Sequence, residues 1–389
     1  MAATSRTLGR LGASLAYVTD FVADYDGNRP GPDAADFVFG NPQEMAMAPY
    51  VEALTRHLQP QDPSWFAYKL NESGAQDTVA ASLVERTGLP YVPDDVFMTT
   101  GGFAAIAVTL RTVLDPGDEV VFCSPPWFFY ELLVGGAGGV SVKVPLKPPA
   151  FDLDPADIAA AITPRTRAVI LNSPNNPTGR VYTADELGRL AQVLEDASRR
   201  NGRTVYLLSD EAYNRIVFDG RSFTSPATVY PATFVLYSYG KTLLTPGQRV
   251  GYIATTPGMA DIDEVREAVE LAQIAAGFAF PNALLQHALG DLEPMTVDVG
   301  VLQRRRDRMV GRLRELGYEL ASPEGTFYLL PRSPVPDDRA FADLLRKHDA
   351  WVLPGAVVEL PGWFRISLTA NDGMVERGLG AFEAALGDL

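Results

Sequence analysis

Between residues 95 and 255, short apolar runs alternate with longer stretches in which apolar residues return every three or four positions. The runs Asp95–Thr99, Glu119–Cys123, Val140–Val144, Ala168–Asn172, Thr204–Ser209, Thr233–Ser238 and Val250–Thr255 predict strands. The stretches between them, near 102–114, 127–135, 154–162, 183–200 and 258–274, predict helices. This alternation signals a largely parallel sheet with helices on both faces, a three-layer α/β/α arrangement. Ligands of such sheets gather where strands end and loops begin.

The flanks read differently. Residues 1–44 are Gly-, Pro- and Asp-rich and weakly periodic, an arm that packs on something else. Helical spacing follows in 45–59 and 74–87, separated by the aromatic loop Trp65-Phe-Ala-Tyr68-Lys69. Beyond Pro281 the pattern turns to helices at 282–291 and 293–316; the Arg-rich run at 303–308 in the second reads as a solvated face that links domains. Strands Thr326–Leu330, Trp351–Leu353 and Trp363–Leu368, with helices 337–347 and 372–386, complete a small α+β unit. The expected division is an arm, 1–45, belonging to the small domain, a large domain, 46–290, and the small C-terminal domain, 291–389.

Composition narrows the function classes. With 47% hydrophobic and 21% charged residues, the chain is an ordinary globular sequence. Its 33 basic and 48 acidic residues leave a formal charge of −15, which argues against nucleic acid or an anionic membrane as partner. Cys123 is the single cysteine, and His57, His287 and His348 lack metal-ligand spacing, so no disulfide within the chain and no metal site are expected, and the cytoplasm is the natural compartment. The first ten residues show no export signal, and no membrane span is expected.

Of five lysines, Lys241 alone lies in a Ser/Gly-rich turn, Ser238-Tyr-Gly-Lys. Lysine in such a setting is a candidate covalent amine, and Arg249, eight residues on, offers a fork of donors suited to phosphate. Other motifs sit at predicted strand ends. Thr99-Thr-Gly101-Gly102-Phe103 opens a helix whose N–H groups can meet an anion. Pro125-Pro-Trp127 presents a flat ring, although core packing is the commoner fate of tryptophan. Asn172-Ser-Pro-Asn-Asn176-Pro-Thr-Gly is a rigid turn offering an amide, and Asp210-Glu-Ala-Tyr213 places a carboxylate where it can hold a pyridine nitrogen protonated.

Together, in this order, these motifs resemble the class I/II aminotransferases, fold type I enzymes that depend on pyridoxal 5'-phosphate. The resemblance covers nearly the whole chain. It implies that Lys241 binds the cofactor as an internal aldimine and carries the proton at the substrate α-carbon, with Asp210 on the pyridinium nitrogen. It further implies Asn176 and Tyr213 on the phenolic oxygen, Trp127 on the ring face, and Gly101, Gly102, Phe103, Ser238 and Arg249 on the phosphate. Arg365, in Phe364-Arg-Ile-Ser, matches the arginine for the substrate α-carboxylate, and Gly40, in Gly-Asn-Pro42, the segment approaching it. A homodimer with its active site at the interface is implied, with Tyr68 as the tyrosine that reaches the neighbour's phosphate. The sequence departs from the family at Gly240, where a serine is usual, and in the spacing from Tyr68 to Gly74.

The expected reaction moves the amino group of an L-amino acid to a 2-oxo acid; a lyase, decarboxylase or oxidase of the same fold would use the same residues. The stretch 271–282 contains no Lys or Arg, so a neutral or basic donor is expected over aspartate or glutamate, with Tyr17, Trp65, Phe278 and Phe280 as candidate pocket residues and the acids Asp20, Asp24 and Asp26 leaving a cationic donor open.

Overall fold

The computed structural model describes residues 5–389. The sheet is built from β2 (Val96–Thr99), β3 (Glu119–Ser124), β4 (Val140–Pro145), β5 (Thr166–Asn172), β6 (Tyr206–Asp210), β7 (Thr233–Ser238) and β8 (Gly251–Thr255), preceded in the arm by β1 (Ala35–Asp36). Its order is β2-β8-β7-β6-β5-β3-β4, and β8 alone runs antiparallel to its neighbours. The chain thus has the three-layer α/β architecture read from its alternation.

Both faces of this sheet are covered, which is why its strands are almost unbroken apolar runs. Successive residues still part to opposite sides. Val120 and Phe122 join Ile170, Leu208, Phe234 and Ile253 under the apolar helix Gly102–Val113, whereas Val121 and Cys123 join Val169, Leu171 and Leu207 against the helix Ala184–Asn201. The latter helix begins on a reciprocal Thr183/Glu186 cap and ends at Gly202 in the left-handed region.

The C-terminal part adds β9 (Tyr328–Leu329), β10 (Ala350–Trp351), β11 (Leu353–Pro354) and β12 (Phe364–Ser367), with helices Asp338–Arg346 and Asp372–Gly387. Phe341, Phe364 and Phe382 form its centre, and the arm enters it through Phe37, stacked on Phe382, and through parallel pairing of β1 with β10.

Three expectations are corrected. The arm contains helices Arg6–Ser14 and Ala16–Gly27, because Leu8, Leu11, Leu15, Val18, Phe21 and Tyr25 do recur at three and four residues and the Gly- and Asp-rich composition masks them. The predicted helix 293–316 begins only at Val299, after Pro294 and on an Asp298 cap, and the one at 282–291 is two short helices. The Arg-rich run is not a solvated face throughout. Arg305 and Arg306 are buried, the first paired with Glu44 of the arm and Asp372, the second with Asp219.

Candidate active site

The strand register builds the site. Thr99 and Ser238 both stand opposite Gly251, and Asn172 stands opposite Asp210, so the ends of β2, β5, β6 and β7 and the start of antiparallel β8 open onto one edge. There Gly102, Phe103, Trp127, Asn176, Asp210, Tyr213, Ser238, Lys241 and Arg249 line a single cleft. Gly101 caps the helix Gly102–Val113 at φ +84°, a conformation L side chains rarely adopt, and any Cβ there would press against the Arg249 guanidinium.

Lys241 stands on the one-turn helix Tyr239–Thr242 that follows β7. Its Nζ lies 5.8 Å from the centre of the Tyr213 ring and 6.0 Å from that of Phe327. Arg249 is exposed as a residue, but its guanidinium is sunk against Gly101 and, among the described residues, donates only to the Pro246 carbonyl, at 2.9 Å. Loss of hydration, with no carboxylate beside it, holds its pKa below the ordinary arginine value.

Arg365, on β12, is 2% exposed. It donates to Asn176 Oδ1 and to the Val38 carbonyl, both at 3.0 Å, and lies 4.0 Å above the Tyr328 ring, while its buried Nε has no partner among the described residues. Gly40 packs against Phe327 and Tyr328. Among the described residues, Lys241, Arg249 and Arg365 have no carboxylate within ion-pair distance, although the chain is acidic.

The converse holds for Asp210, a buried carboxylate with no ion-pair partner among the described residues. Burial raises its pKa, against the hydroxyl of Tyr130, 2.5 Å from Oδ2, the Ala212 N–H at 3.3 Å and the charge of Lys241. Burial also drives the Tyr213 phenol far above its usual range, and Tyr328 reinforces this. In Tyr328 burial acts the same way, but the Lys241 and Arg365 cations outweigh it and hold the phenol below its ordinary value.

Of the predicted residues outside this lining, Gly101 borders it through Arg249 and Arg365 through Asn176, Gly40 sits on Phe327 and Tyr328, and Tyr68 stands apart. It is 87% exposed and packs on Phe280, with ring centres 5.2 Å apart. Sequence reasoning missed Tyr130, Tyr328 and Asn172. The last donates to the Asp210 carbonyl at 2.9 Å and accepts from the Asn176 N–H at 2.7 Å, tying the turn to β6. Its position as the last residue of a strand was the available signal. Tyr130 and Tyr328 had none, since their roles depend on contacts across the fold.

The family described as aminotransferase class I and II matches residues 71–382. A protein of Thermus aquaticus named probable aspartate/prephenate aminotransferase is 31% identical over 366 residues, 92% of this chain and 93% of its own. An aspartate/prephenate aminotransferase of Cereibacter sphaeroides is 34% identical over 322 residues, covering 76% and 77%. Among solved structures, an aminotransferase from Eubacterium rectale superposes with TM-score 0.89 at 26% identity, covering 100% of this chain and 99% of that one. The Thermus thermophilus aspartate aminotransferase with maleate gives 0.84 at 28% identity, covering 99% and 100%.

Proposed function

This chain belongs to the class I and II aminotransferases and is a pyridoxal-phosphate-dependent transaminase; from that premise we propose which of its residues seat the cofactor and the substrate. One observation carries the assignment: among the described residues, Lys241 and Arg249, without carboxylates, and Asp210, a buried carboxylate without a cation, line one cleft, and Arg365, likewise without a carboxylate, reaches Asn176 of its lining. For the buried Arg365 and Asp210 this is costly, since a buried charge lacking a partner destabilises by several kcal/mol, about 3–5 when a buried pair is broken. A ligand with a phosphate, a protonatable ring nitrogen and a carbonyl, together with a carboxylate substrate, answers all four, so the donor set fits pyridoxal 5'-phosphate.

In this reading Arg249, Ser238 and the N–H groups at Gly101–Phe103 hold the phosphate at the helix start. Trp127 covers one face of the ring, and Asp210, held by Tyr130, keeps the ring nitrogen protonated. When bound, the cofactor supplies an aldehyde for amines and a ring that takes up electron density from the substrate α-carbon. Asn176 and Tyr213 bond its phenolic oxygen. Arg365 grips the α-carboxylate with Gly40 alongside, which leaves the Lys241 amine to take the proton from the α-carbon and return it elsewhere. Nearby Tyr328 bears on both cations.

We also propose the division into a large domain, 46–290, and a small domain of the arm plus 291–389. A homodimer is the assembly this surface supports: Phe66, Tyr68, Leu271, Ile274 and Phe280 are all more than half exposed, which a monomer has no reason to display together. Tyr68 would then serve the neighbour's phosphate. The chain's low cysteine content suits the cytoplasm.

The test is a screen of L-amino acids for 2-oxo acid formation with and without an acceptor 2-oxo acid, coupled to borohydride reduction and peptide mapping. Formation that requires the acceptor, and a label on Lys241, are expected. Acceptor-independent product would favour a lyase or oxidase, and a label on Lys69 or Lys143 would remove Lys241 from its role.

A further inference from the structure

Resting on the aminotransferase reading, we propose that the specific amino donor is an L-amino acid with an apolar, preferentially aromatic, side chain, and that Phe103 determines this choice. The charges at the site are already committed. Arg249 faces the phosphate seat, Arg365 the α-carboxylate and Lys241 the reacting amine, and Lys241 and Arg249 are the cations lining the cleft. Lys69 and Arg29, which could have reached in from loops, pair with Glu72 and Asp26. A second substrate carboxylate would therefore lose its hydration without gaining a counter-ion.

What the cleft offers instead is an aromatic wall. Phe103, half-buried on the first turn of the helix Gly102–Val113, meets Trp127 edge-on at 5.3 Å and Phe129 at 5.2 Å. Phe129 in turn meets Phe128 at 4.6 Å, and Ile106 lies one turn beyond Phe103 on the same lining. Phe128, Phe129 and Phe39 remain partly buried and pack on the cluster that holds Val18, Phe21 and Val38 of the arm, so the wall continues into the arm that carries Gly40. Edge-to-face contacts with such rings add to simple area burial, which favours an aromatic guest over an aliphatic one.

The acids that left a cationic donor open are largely engaged. Asp24 pairs with Arg346 at 2.6 Å and Asp26 with Arg29 at 2.9 Å, while Asp20 borders a hollow that also contains Arg339 and Arg346. The residues first considered for the pocket are placed elsewhere. Tyr17 lies under Arg339, Trp65 stacks on His287, Phe278 packs on the sheet core and Phe280 on Tyr68. The apolar reading therefore stands on Phe103 and its neighbours. It departs from the donor that appears in the names of the relatives.

The experiment compares holoenzyme kcat/KM for L-phenylalanine and L-aspartate with one acceptor, and measures binding of 3-phenylpropanoate and succinate by tryptophan fluorescence. Phenylalanine and 3-phenylpropanoate are each expected to win by about tenfold or more. Phe103→Lys should move both ratios towards the diacid by about tenfold, and Phe103→Leu should keep the preference over diacids while weakening that for aromatic over aliphatic donors. Equal or better use of aspartate, or tighter binding of succinate by the unmodified protein, overturns the inference and leaves the aminotransferase reading intact. Unchanged ratios in a folded Phe103→Lys protein remove Phe103 from the role. Absence of 2-oxo acid from every donor, with 3-phenylpropanoate still bound preferentially, would instead strike the reading of the reaction.

Discussion

Asp210 illustrates how a residue can be costly to the fold and yet suit the chemistry proposed for it. Its carboxylate is buried, satisfied by Tyr130 and the Ala212 N–H but not by a full positive charge. Its folded pKa is raised, so it contributes stability below its unfolded value of about 4 and loses that contribution as pH rises through the folded value. Asp210→Asn should then raise the melting temperature of the cofactor-free protein near pH 7 to 8, and the gain should shrink towards pH 4. The same change removes the charge that keeps the ring nitrogen protonated, and turnover should fall by orders of magnitude. Calorimetry across pH and steady-state rates check the two halves. Near-normal turnover would show that the nitrogen is handled otherwise. That Lys241, Asp210, Asn176 and Arg249 would lie together was legible, because each stands at or just after a predicted strand end. Tyr328 was not, because only packing sets its ring beneath Arg365 and its hydroxyl near Lys241.

The one-turn helix Tyr239–Thr242 is too short to hold itself, and long-range contacts hold it instead. Tyr239 donates to Glu293, which also receives Arg215 and Ser82; Tyr237 and Thr242 share a hydrogen bond of 2.5 Å, and the Val297 N–H donates to the Thr242 carbonyl at 2.8 Å. On the other side the turn Pro246–Gln248 packs so closely that a Cβ on Gly240 would come within 2.8 Å of the Pro246 Cα. This accounts for glycine where the family has serine: here the backbone of the turn occupies the place of that side chain. Gly240→Ser should therefore destabilise by about 1–3 kcal/mol and weaken cofactor retention despite adding a hydroxyl. Urea titration and cofactor dissociation rates are the measurements, and tighter retention in a stable variant would refute the steric account. Helices at 183–200 and 372–386 were read nearly to the residue, as their apolar spacing and caps are local. The arm helices were missed because glycines and aspartates diluted a periodicity that only docking on Trp351 and Val357 makes stable.

At the scale of the molecule, the arm contributes the Val38 carbonyl to Arg365 and Phe37 to the small-domain core, so residues more than 300 positions apart complete one site. The exposed Tyr68–Phe280 contact is the surface proposed above to meet a second copy of the chain. The protein in solution should weigh twice its 42.1 kDa chain mass, and Phe280→Asp should shift it towards monomer and speed cofactor loss. Light scattering on dilution tests this; a monomeric wild-type protein that retains cofactor would end the proposal.

The sequence by itself determined the α/β alternation, the seven sheet strands and the chemical types at their ends, because period-two and period-3.6 patterns and strand-end turns are properties of neighbouring residues. The tertiary structure decided which of those residues share a cleft. It set the partners of Arg365 and Asp210, the place of Phe103 on the aromatic wall and the exposure of Tyr68. These depend on strand register and on contacts between segments far apart in the chain, and spacing along a chain does not encode distance across it.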